Sequence, residues 1–432
     1  MMKKRLLAMA LCAMAALMLL PCLITPALAA EVPEIREAAG AYLYNFENDT
    51  VLYELNPDER IYPASTVKLM TGILAMEALG STPEMTITVT AEMLNKVVGN
   101  NMGLKVGEVV TVKDMLYGLL LNGANDAAQV LAVTVSGSVS DFVDDMNEKA
   151  QYLGAYNTFY TNPTGMHSDA MITTVADTAA IAKYAYSLPG FTEITSLSKY
   201  VMDATNKSDY RNLYNRNGQI SRFYEPNYLY SGSLGMNAGY TKQSGYCLVS
   251  VARREELTYL CVIMNAGSTD TEIYSYENGK QLLNFAFSSF GYVEVLSQKQ
   301  RICELPVSLS STVDYVTLVP AKSIIRYLPT DYDPEKLQIA YSTYAETLEA
   351  PVHEGTVYGA VVVSYDGEIV GTADLIATAS VTRSEFLHLL KQIKDFTSGR
   401  FFRATIVFIL LFSVAYVLLE AHRREMQMRR RF

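Results

Sequence analysis

Residues 63–72 read PASTVKLMTG, and within them Ser65 stands three places before Lys68 at the head of an apolar stretch that runs to Leu79. Val67, Leu69, Met70, Ile73, Leu74 and Leu79 leave almost no polar face, so the spacing predicts a helix buried at the centre of a domain. Positions i and i+3 share a helical face, which brings the Lys68 ammonium within reach of the Ser65 hydroxyl. A serine at a helix N-terminus has free backbone N–H groups and the positive end of the dipole beside it, both suited to a developing oxyanion. A lysine inside an apolar helix must find a partner or give up its proton, and a depressed pKa makes it a usable base. Ser65 and Lys68 therefore form a coherent nucleophile–base pair for acyl transfer. Serine is equally a common helix cap, and S-x-x-K recurs by chance, so the pair needs its surroundings.

Outward from this helix the pattern is α+β. Ala41–Phe46 and Val51–Glu54, joined by Glu47-Asn48-Asp49-Thr50, predict a β-hairpin. Thr111 and Asp114 form a capping-box pattern ahead of a helix over Met115–Leu121. Asn122-Gly123 breaks that helix, and Asn125-Asp126 begin another. Phe142–Leu153 reads as a helix closed by Gly154, and Ile273–Phe287 as one more. Between them two strands alternate from Tyr246 to Ala266 around Arg253–Glu256. From about Tyr292 to Thr382, short strands with Pro and an Asp366-Gly367 turn replace helical periodicity, which marks a second, all-β domain. Ser384–Phe396 again reads as a helix.

The two ends carry membrane signals. Lys3-Lys4-Arg5 precede an apolar run from Leu6 to Ile24 and the small-x-small pattern Ala27-Leu28-Ala29, as in a secretory signal peptide cut after Ala29. An uncleaved anchor is the competing reading. Ala404–Leu419 is apolar apart from Thr405, Ser413 and Tyr416, and with Phe401, Phe402 and the snorkelling flanks Arg403 and Glu420 it approaches the ~20 residues that span hydrocarbon. An interfacial helix is the alternative there, but the stretch lacks a polar face. His422-Arg423-Arg424 and Arg429-Arg430-Arg431 place the tail in the cytoplasm by the positive-inside rule, and the body outside. The expected order is a signal peptide over 1–29, a first domain over 30–290, an all-β domain over 291–382, a helical linker over 383–402, a transmembrane helix over 403–421 and a basic cytoplasmic tail over 422–432.

Composition narrows the chemistry. The net charge is −10 although both ends are basic, so the body is more acidic still, which argues against nucleic acid as a partner. After removal of a signal peptide, Cys247, Cys261 and Cys303 remain, an odd number without C-x-x-C spacing. Cys247 and Cys261 fall in apolar, strand-like runs and read as buried thiols. The four histidines (His167, His353, His388, His422) are scattered, with no H-E-x-x-H, so neither a metal nor a cofactor is expected.

Four blocks in order, Pro63–Gly72 (PASTVKLMTG), Gly103–Ala128 (GLKVGEVVTVKDMLYGLLLNGANDAA), Phe159–Met166 (FYTNPTGM) and Gly235–Val249 (GMNAGYTKQSGYCLV), resemble the serine D-alanyl-D-alanine carboxypeptidases, the low-molecular-mass penicillin-binding proteins of peptidase family S11. The likeness runs from about Ala39 to Phe290 and continues more loosely at Leu348–Gly359 (LEAPVHEGTVYG). It implies a penicillin-recognising, β-lactamase-like α+β domain with an antiparallel sheet and a helical lobe, then a small β-sandwich and a C-terminal transmembrane helix. By this resemblance Ser65 is the acylated nucleophile, Lys68 its base, and Asn125 the last member of the S-x-N motif. Gly123, Asn237, Ala238, Gly239 and Tyr240 are the expected substrate-binding positions, with the oxyanion held by the backbone N–H groups of Ser65 and Tyr240. The implied substrate is the stem peptide of peptidoglycan, which loses its last D-Ala, and β-lactams are the implied covalent inhibitors.

Two motifs depart from the family's pattern. Gly123-Ala124-Asn125 stands for S-x-N, and Asn237-Ala238-Gly239 for K-T-G; Lys242 lies beyond the Gly-Tyr pair and is not expected to replace the missing lysine. The losses remove a proton-relaying hydroxyl and a cation and hydroxyl that hold a carboxylate, each worth about 1.5–3 kcal/mol for a hydrogen bond to a charged group. The alternative is thus a catalytically weak or inactive homologue serving as a membrane-anchored peptidoglycan-binding or scaffold module; a β-lactamase is a further rival, separable by nitrocefin turnover. Asn162-Pro163-Thr164-Gly165 reads as a turn bordering the cleft, Asp177 as a local cap or pair, and His167 as an unneeded second base.

Overall fold

The hairpin expected near residues 41–54 forms one side of a five-stranded sheet. Strands β1 (Ala38–Asn45), β2 (Thr50–Leu55), β3 (Ser233–Thr241), β4 (Gly245–Arg254) and β5 (Leu257–Ala266) lie antiparallel in the order β2-β1-β5-β4-β3. β5 is central, and its run Tyr259–Met264 is fully buried, hence apolar without the usual alternation. Leu260, Val262 and Met264 join the core of the helical lobe, while Tyr259 meets Phe287 edge-on and Cys261 faces Gly279. β3 is left as a free edge, and the cleft opens along it.

The computed structural model describes residues 32–429, so the expected signal peptide and the last residues of the tail lie outside the described residues. The chain divides into two units at Gly291/Tyr292, with Pro329–Asp331 belonging to the first. In the first unit, helix α1 (Val67–Leu79) is buried from Val67 to Ile73 and is packed on by α2 (Val112–Leu120), α3 (Asn125–Ser136), α4 (Val139–Tyr152) and α5 (Val175–Ser187). The expected helix start at Ser65 is refined: Ala64–Thr66 is a 3-10 turn, and the α-helix proper begins at Val67. The capping box before α2 is present, with Thr111 Oγ1 accepting from Asp114 N at 3.1 Å. α4 begins three residues ahead of the expected Phe142 because Ser138 caps it. Helix α6 (Tyr274–Ser289) covers β4 and β5.

The second unit holds a six-stranded sheet and residues 292–296 and 324–328 of a two-stranded ribbon whose strands are Phe290–Leu296 and Ile324–Pro329. Val357–Tyr365 and Glu368–Ala377 are joined through Asp366 and Gly367, whose φ values of 51° and 88° suit the right-handed twist of a tight hairpin. Leu318, Val361, Val363 and Leu375 form the centre of this unit's core. Helix α7 (Glu385–Ser398), capped by Ser384, leads to α8 (Arg400–Arg429). Residues 400–424 of α8 are long and apolar enough to cross a membrane, at about 1.5 Å per residue against ~30 Å of hydrocarbon.

Candidate active site

Ser65 is partly exposed at the mouth of a cleft of about 710 Å³ that Lys68, Gly123, Asn125, Ala238, Gly239 and Tyr240 also line. The residue before it, Ala64, has φ of 50°, a left-handed conformation that costs a non-glycine residue about 1–2 kcal/mol and is characteristic of tightly held functional turns. Thr66 ties the turn down by donating its hydroxyl to Pro63 O at 2.6 Å.

Lys68 is 1% exposed, and its Nζ donates to Ser65 Oγ at 3.2 Å and to Thr164 O at 2.5 Å. The second bond comes from the Asn162–Gly165 turn, so this turn both borders the cleft and aims the base. Asn162 Oδ1 holds the turn by accepting from Thr164 N, Thr164 Oγ1 and Gly165 N. Burial, assisted by the nearby Arg216 guanidinium, lowers the Lys68 pKa to about 7. The buried apolar helix thus supplies a lysine able to accept a proton at neutral pH.

Asn125 opens α3. Its Nδ2 donates to Val98 O at 2.7 Å, while its buried Oδ1 has no hydrogen-bond partner in the protein. Next to it, Asp126 accepts backbone N–H bonds from Met102, Gly103 and Leu104, which fastens the loop carrying Gly99 and Asn100 to the head of the helix. Gly123 faces open space bounded by Asn100 Nδ2 and the Arg216 side chain.

The third block splits. Ala238, Gly239 and Tyr240 line the cleft on the β3 edge, whereas Asn237 is 6% exposed, is absent from the lining, and leaves its Oδ1 unpaired. Lys242 lines the cleft from the β3–β4 turn. His167 also lines it, but its Nε2 pairs with Asp169 Oδ1 at 3.1 Å and its ring meets Tyr62 edge-on. Asp177 caps more than locally, accepting from Asn157 N and Thr158 Oγ1.

Arg216 is the cleft residue that sequence reasoning missed. It stacks on Tyr224 with 4.4 Å from guanidinium to ring centroid and lies close enough to Lys68 to disfavour its charge. Its one sequence signal is the pair of flanking asparagines. Asn215 Oδ1 accepts from Asn217 N, Asn217 Oδ1 accepts from Gln219 N, and Asn215 Nδ2 is anchored on Thr195 O and Leu197 O, so the loop is pinned on both sides of the arginine. The buried thiols are inert: burial pushes Cys247 up to about 12 and raises Cys261 further. Among the described residues no His, Cys, Asp and Glu cluster has the makings of a metal site.

Comparison with known proteins places this geometry. The profile described as D-alanyl-D-alanine carboxypeptidase matches residues 27–268, and that of the penicillin-binding protein 5 C-terminal domain matches residues 290–383. The chain is 30% identical over 361 residues to the D-alanyl-D-alanine carboxypeptidase DacF of Bacillus subtilis, covering 82% of this chain and 89% of that one. It is 28% identical over 352 residues to DacA of Haemophilus influenzae, covering 77% and 82%. The solved penicillin binding protein 5 of Haemophilus influenzae superposes with a TM-score of 0.56 at 27% identity, covering 82% of this chain and 99% of that structure.

Proposed function

The chain belongs to the D-alanyl-D-alanine carboxypeptidase family, peptidase S11, and from that premise we propose that it is a serine carboxypeptidase removing the terminal D-Ala of peptidoglycan stem pentapeptides. The observation that carries the reading is Lys68, buried, with its pKa lowered to about 7 and its Nζ 3.2 Å from Ser65 Oγ. Nothing in the geometry favours an inactive binding module.

Neutral Lys68 takes the Ser65 proton as Oγ attacks the carbonyl carbon of the penultimate D-Ala. The oxyanion is held by the backbone N–H groups of Ser65 and Tyr240. Asn125 Oδ1, unpaired and buried at the cleft, accepts a substrate amide N–H. The Lys68 ammonium then returns its proton to the leaving nitrogen, a water standing in for the hydroxyl absent at Gly123, and D-Ala departs. In the second half Lys68 deprotonates a water, which attacks the Ser65 ester and frees the shortened peptide. Arg216 takes the part of the missing K-T-G lysine and pairs with the terminal carboxylate, for which a planar guanidinium is well suited. The same cleft takes β-lactams as acylating inhibitors.

The body works outside the membrane: residues 1–29 export it, α8 spans the bilayer, and the basic residues 422–432 stay inside. Intact-mass spectrometry after incubation with benzylpenicillin tests the nucleophile, with Ser65→Ala as control, and D-Ala release from a D-Ala-D-Ala peptide tests turnover. An adduct lost in Ser65→Ala, together with D-Ala release, is the expected result. No adduct and no hydrolysis would sink the enzyme reading.

A further inference from the structure

Three consecutive residues, Thr164, Gly165 and Met166, touch three separate parts of the cleft. Thr164 O accepts from Lys68 Nζ at 2.5 Å. Gly165 lies against the nucleophile turn: a β-carbon on it would collide with Ala64 O and stand 3.0 Å from Ser65 Cα. Met166 reaches the opposite wall, where a β-carbon on Gly99 would stand 3.3 Å from Met166 Sδ and 3.0 Å from Asn125 Nδ2. The thioether and the Asn125 amide thus share the space that Gly99 leaves free. The segment is tied at both ends of Met166, whose N donates to Thr164 Oγ1 at 3.3 Å and whose O accepts from Asn162 Nδ2 at 2.9 Å.

Met166 is also open to solvent. It lines the cleft and is 38% exposed, and among the described residues of the first unit Met85 is the one other methionine exposed to that degree. The remaining described methionines there are buried, apart from half-buried Met76. A thioether gives two electrons to hydrogen peroxide: sulfur attacks one peroxide oxygen, the O–O bond breaks as an S–O bond forms, and the other oxygen leaves as water. The product carries a polar acceptor and the bulk of one more oxygen where sulfur already meets Gly99 and Asn125. Asp126 fastens the Gly99 loop, and Gly165 abuts Ala64, so neither wall yields without moving Asn125 or Ser65. We propose that Met166 is a modification site, oxidised by peroxide to a sulfoxide that slows acylation of Ser65, and restored by methionine sulfoxide reduction. The inference rests on Ser65 being the acylated nucleophile.

The full chain in detergent micelles is treated with hydrogen peroxide, the oxidised methionines are assigned by peptide mass mapping, and acylation by benzylpenicillin is timed by intact mass. Each form is compared with its own untreated rate. The expected result is a gain of one oxygen at Met166 and a rate lowered by about tenfold or more, since a displacement of about 1 Å at a reacting group costs roughly a hundred-fold. Methionine sulfoxide reductases A and B, supplied together with a thiol reductant, should restore the rate. Met166→Leu, which keeps the bulk without the sulfur, should lose none of its rate to peroxide, whereas Met85→Leu should remain as sensitive as the parent chain. An equal loss in Met166→Leu, or a loss that the reductases leave in place, would overturn the proposal. So would a Met166 sulfoxide with an unchanged rate, or a Met166 that peroxide leaves unmodified. An untreated chain that forms no penicilloyl adduct would remove the Ser65 reading and this inference together.

Discussion

Gly239 runs so close to Ser65 that a β-carbon on it would stand 2.5 Å from Ser65 Cβ and 2.9 Å from Ser65 N. The strand edge and the nucleophile turn are therefore fitted to one another through a missing side chain. This explains why the glycine remains in the third block where lysine and threonine do not. Gly239→Ala forces the Ser65 turn to shift, because backbone is among the atoms it would meet. A displacement of about 1 Å at a reacting group costs roughly a hundred-fold in rate. Acylation by benzylpenicillin, followed by mass, should slow by about that factor while the melting temperature changes little; an unchanged rate would show that the contact does not set the nucleophile.

The base sets the pH profile. Lys68 must be neutral to act, and with its pKa lowered to about 7 the value of kcat/KM rises through pH 7 and levels off above it. Burial is the larger cause and Arg216 the second. Arg216→Gln removes the second, so the midpoint moves to higher pH, and loss of the carboxylate partner lowers kcat/KM by about ten- to a hundred-fold. A pH–rate series on both forms checks this. A midpoint that stays in place would separate Arg216 from the base.

Stability responds in the same window. The folded Lys68 pKa lies below its unfolded value of 10.5, so between about pH 7 and 10.5 the unfolded chain binds more protons and stability rises with pH. The cost of the buried ammonium is fully present below pH 7. Lys68→Met keeps the shape and drops the charge. It should abolish acylation yet stabilise the protein by about 1–4 kcal/mol near pH 6, with a smaller gain near pH 10. Thermal melts at the two pH values measure it, and equal gains at both would contradict a charge penalty.

The legible parts of the molecule were those whose signal is periodic or local. Ser65 in the 3-10 turn and Lys68 in the apolar helix that follows lie one turn apart, and Thr111 and Asp114 sit at the fixed spacing of a capping box, so both followed from spacing. Arg216 did not, because it reaches the cleft from an aperiodic loop positioned by asparagine side chains rather than by a helix or strand. Asn237 was expected beside Gly239 in the cleft. Its pairing with β4 is regular from Met236 to Thr241, yet it is 6% exposed and off the lining, so strand period alone does not tell which of the three motif residues the neighbouring elements cover. Local pattern names the residues of a motif; the packing around them decides which face the substrate.

Restoring the lost S-x-N serine is not free of strain. Gly123 has φ of 69°, and a side chain there would find room, its nearest neighbours being Asn100 Nδ2 at 3.8 Å and Arg216 Cγ at 4.0 Å. Gly123→Ser should lower stability by about 1–2 kcal/mol for the left-handed backbone. It should also raise kcat by about tenfold, by supplying the hydroxyl that a water replaces. Gly123→Ala is the control, with the same loss of stability and no gain in rate. A Gly123→Ser enzyme no faster than Gly123→Ala would show that the cleft no longer uses a hydroxyl at this place.

Asp126 holds the opposite wall. Its carboxylate, 2% exposed, accepts from Met102 N at 3.0 Å, Gly103 N at 2.9 Å and Leu104 N at 3.1 Å. The loop so held also gives Asn100 O to Asn125 N and Val98 O to Asn125 Nδ2, both at 2.7 Å. Asp126→Ala leaves several buried N–H groups unpaired and should cost about 3 kcal/mol or more. The loss is local before it is global: amide exchange over residues 98–104 should accelerate ahead of α1, and Asn125 should lose its aim, so KM rises and acylation slows. Asp126→Asn keeps one acceptor oxygen and should fall between. Exchange that accelerates evenly across the first unit would reduce Asp126 to a general support of the fold, with no special hold on the cleft wall.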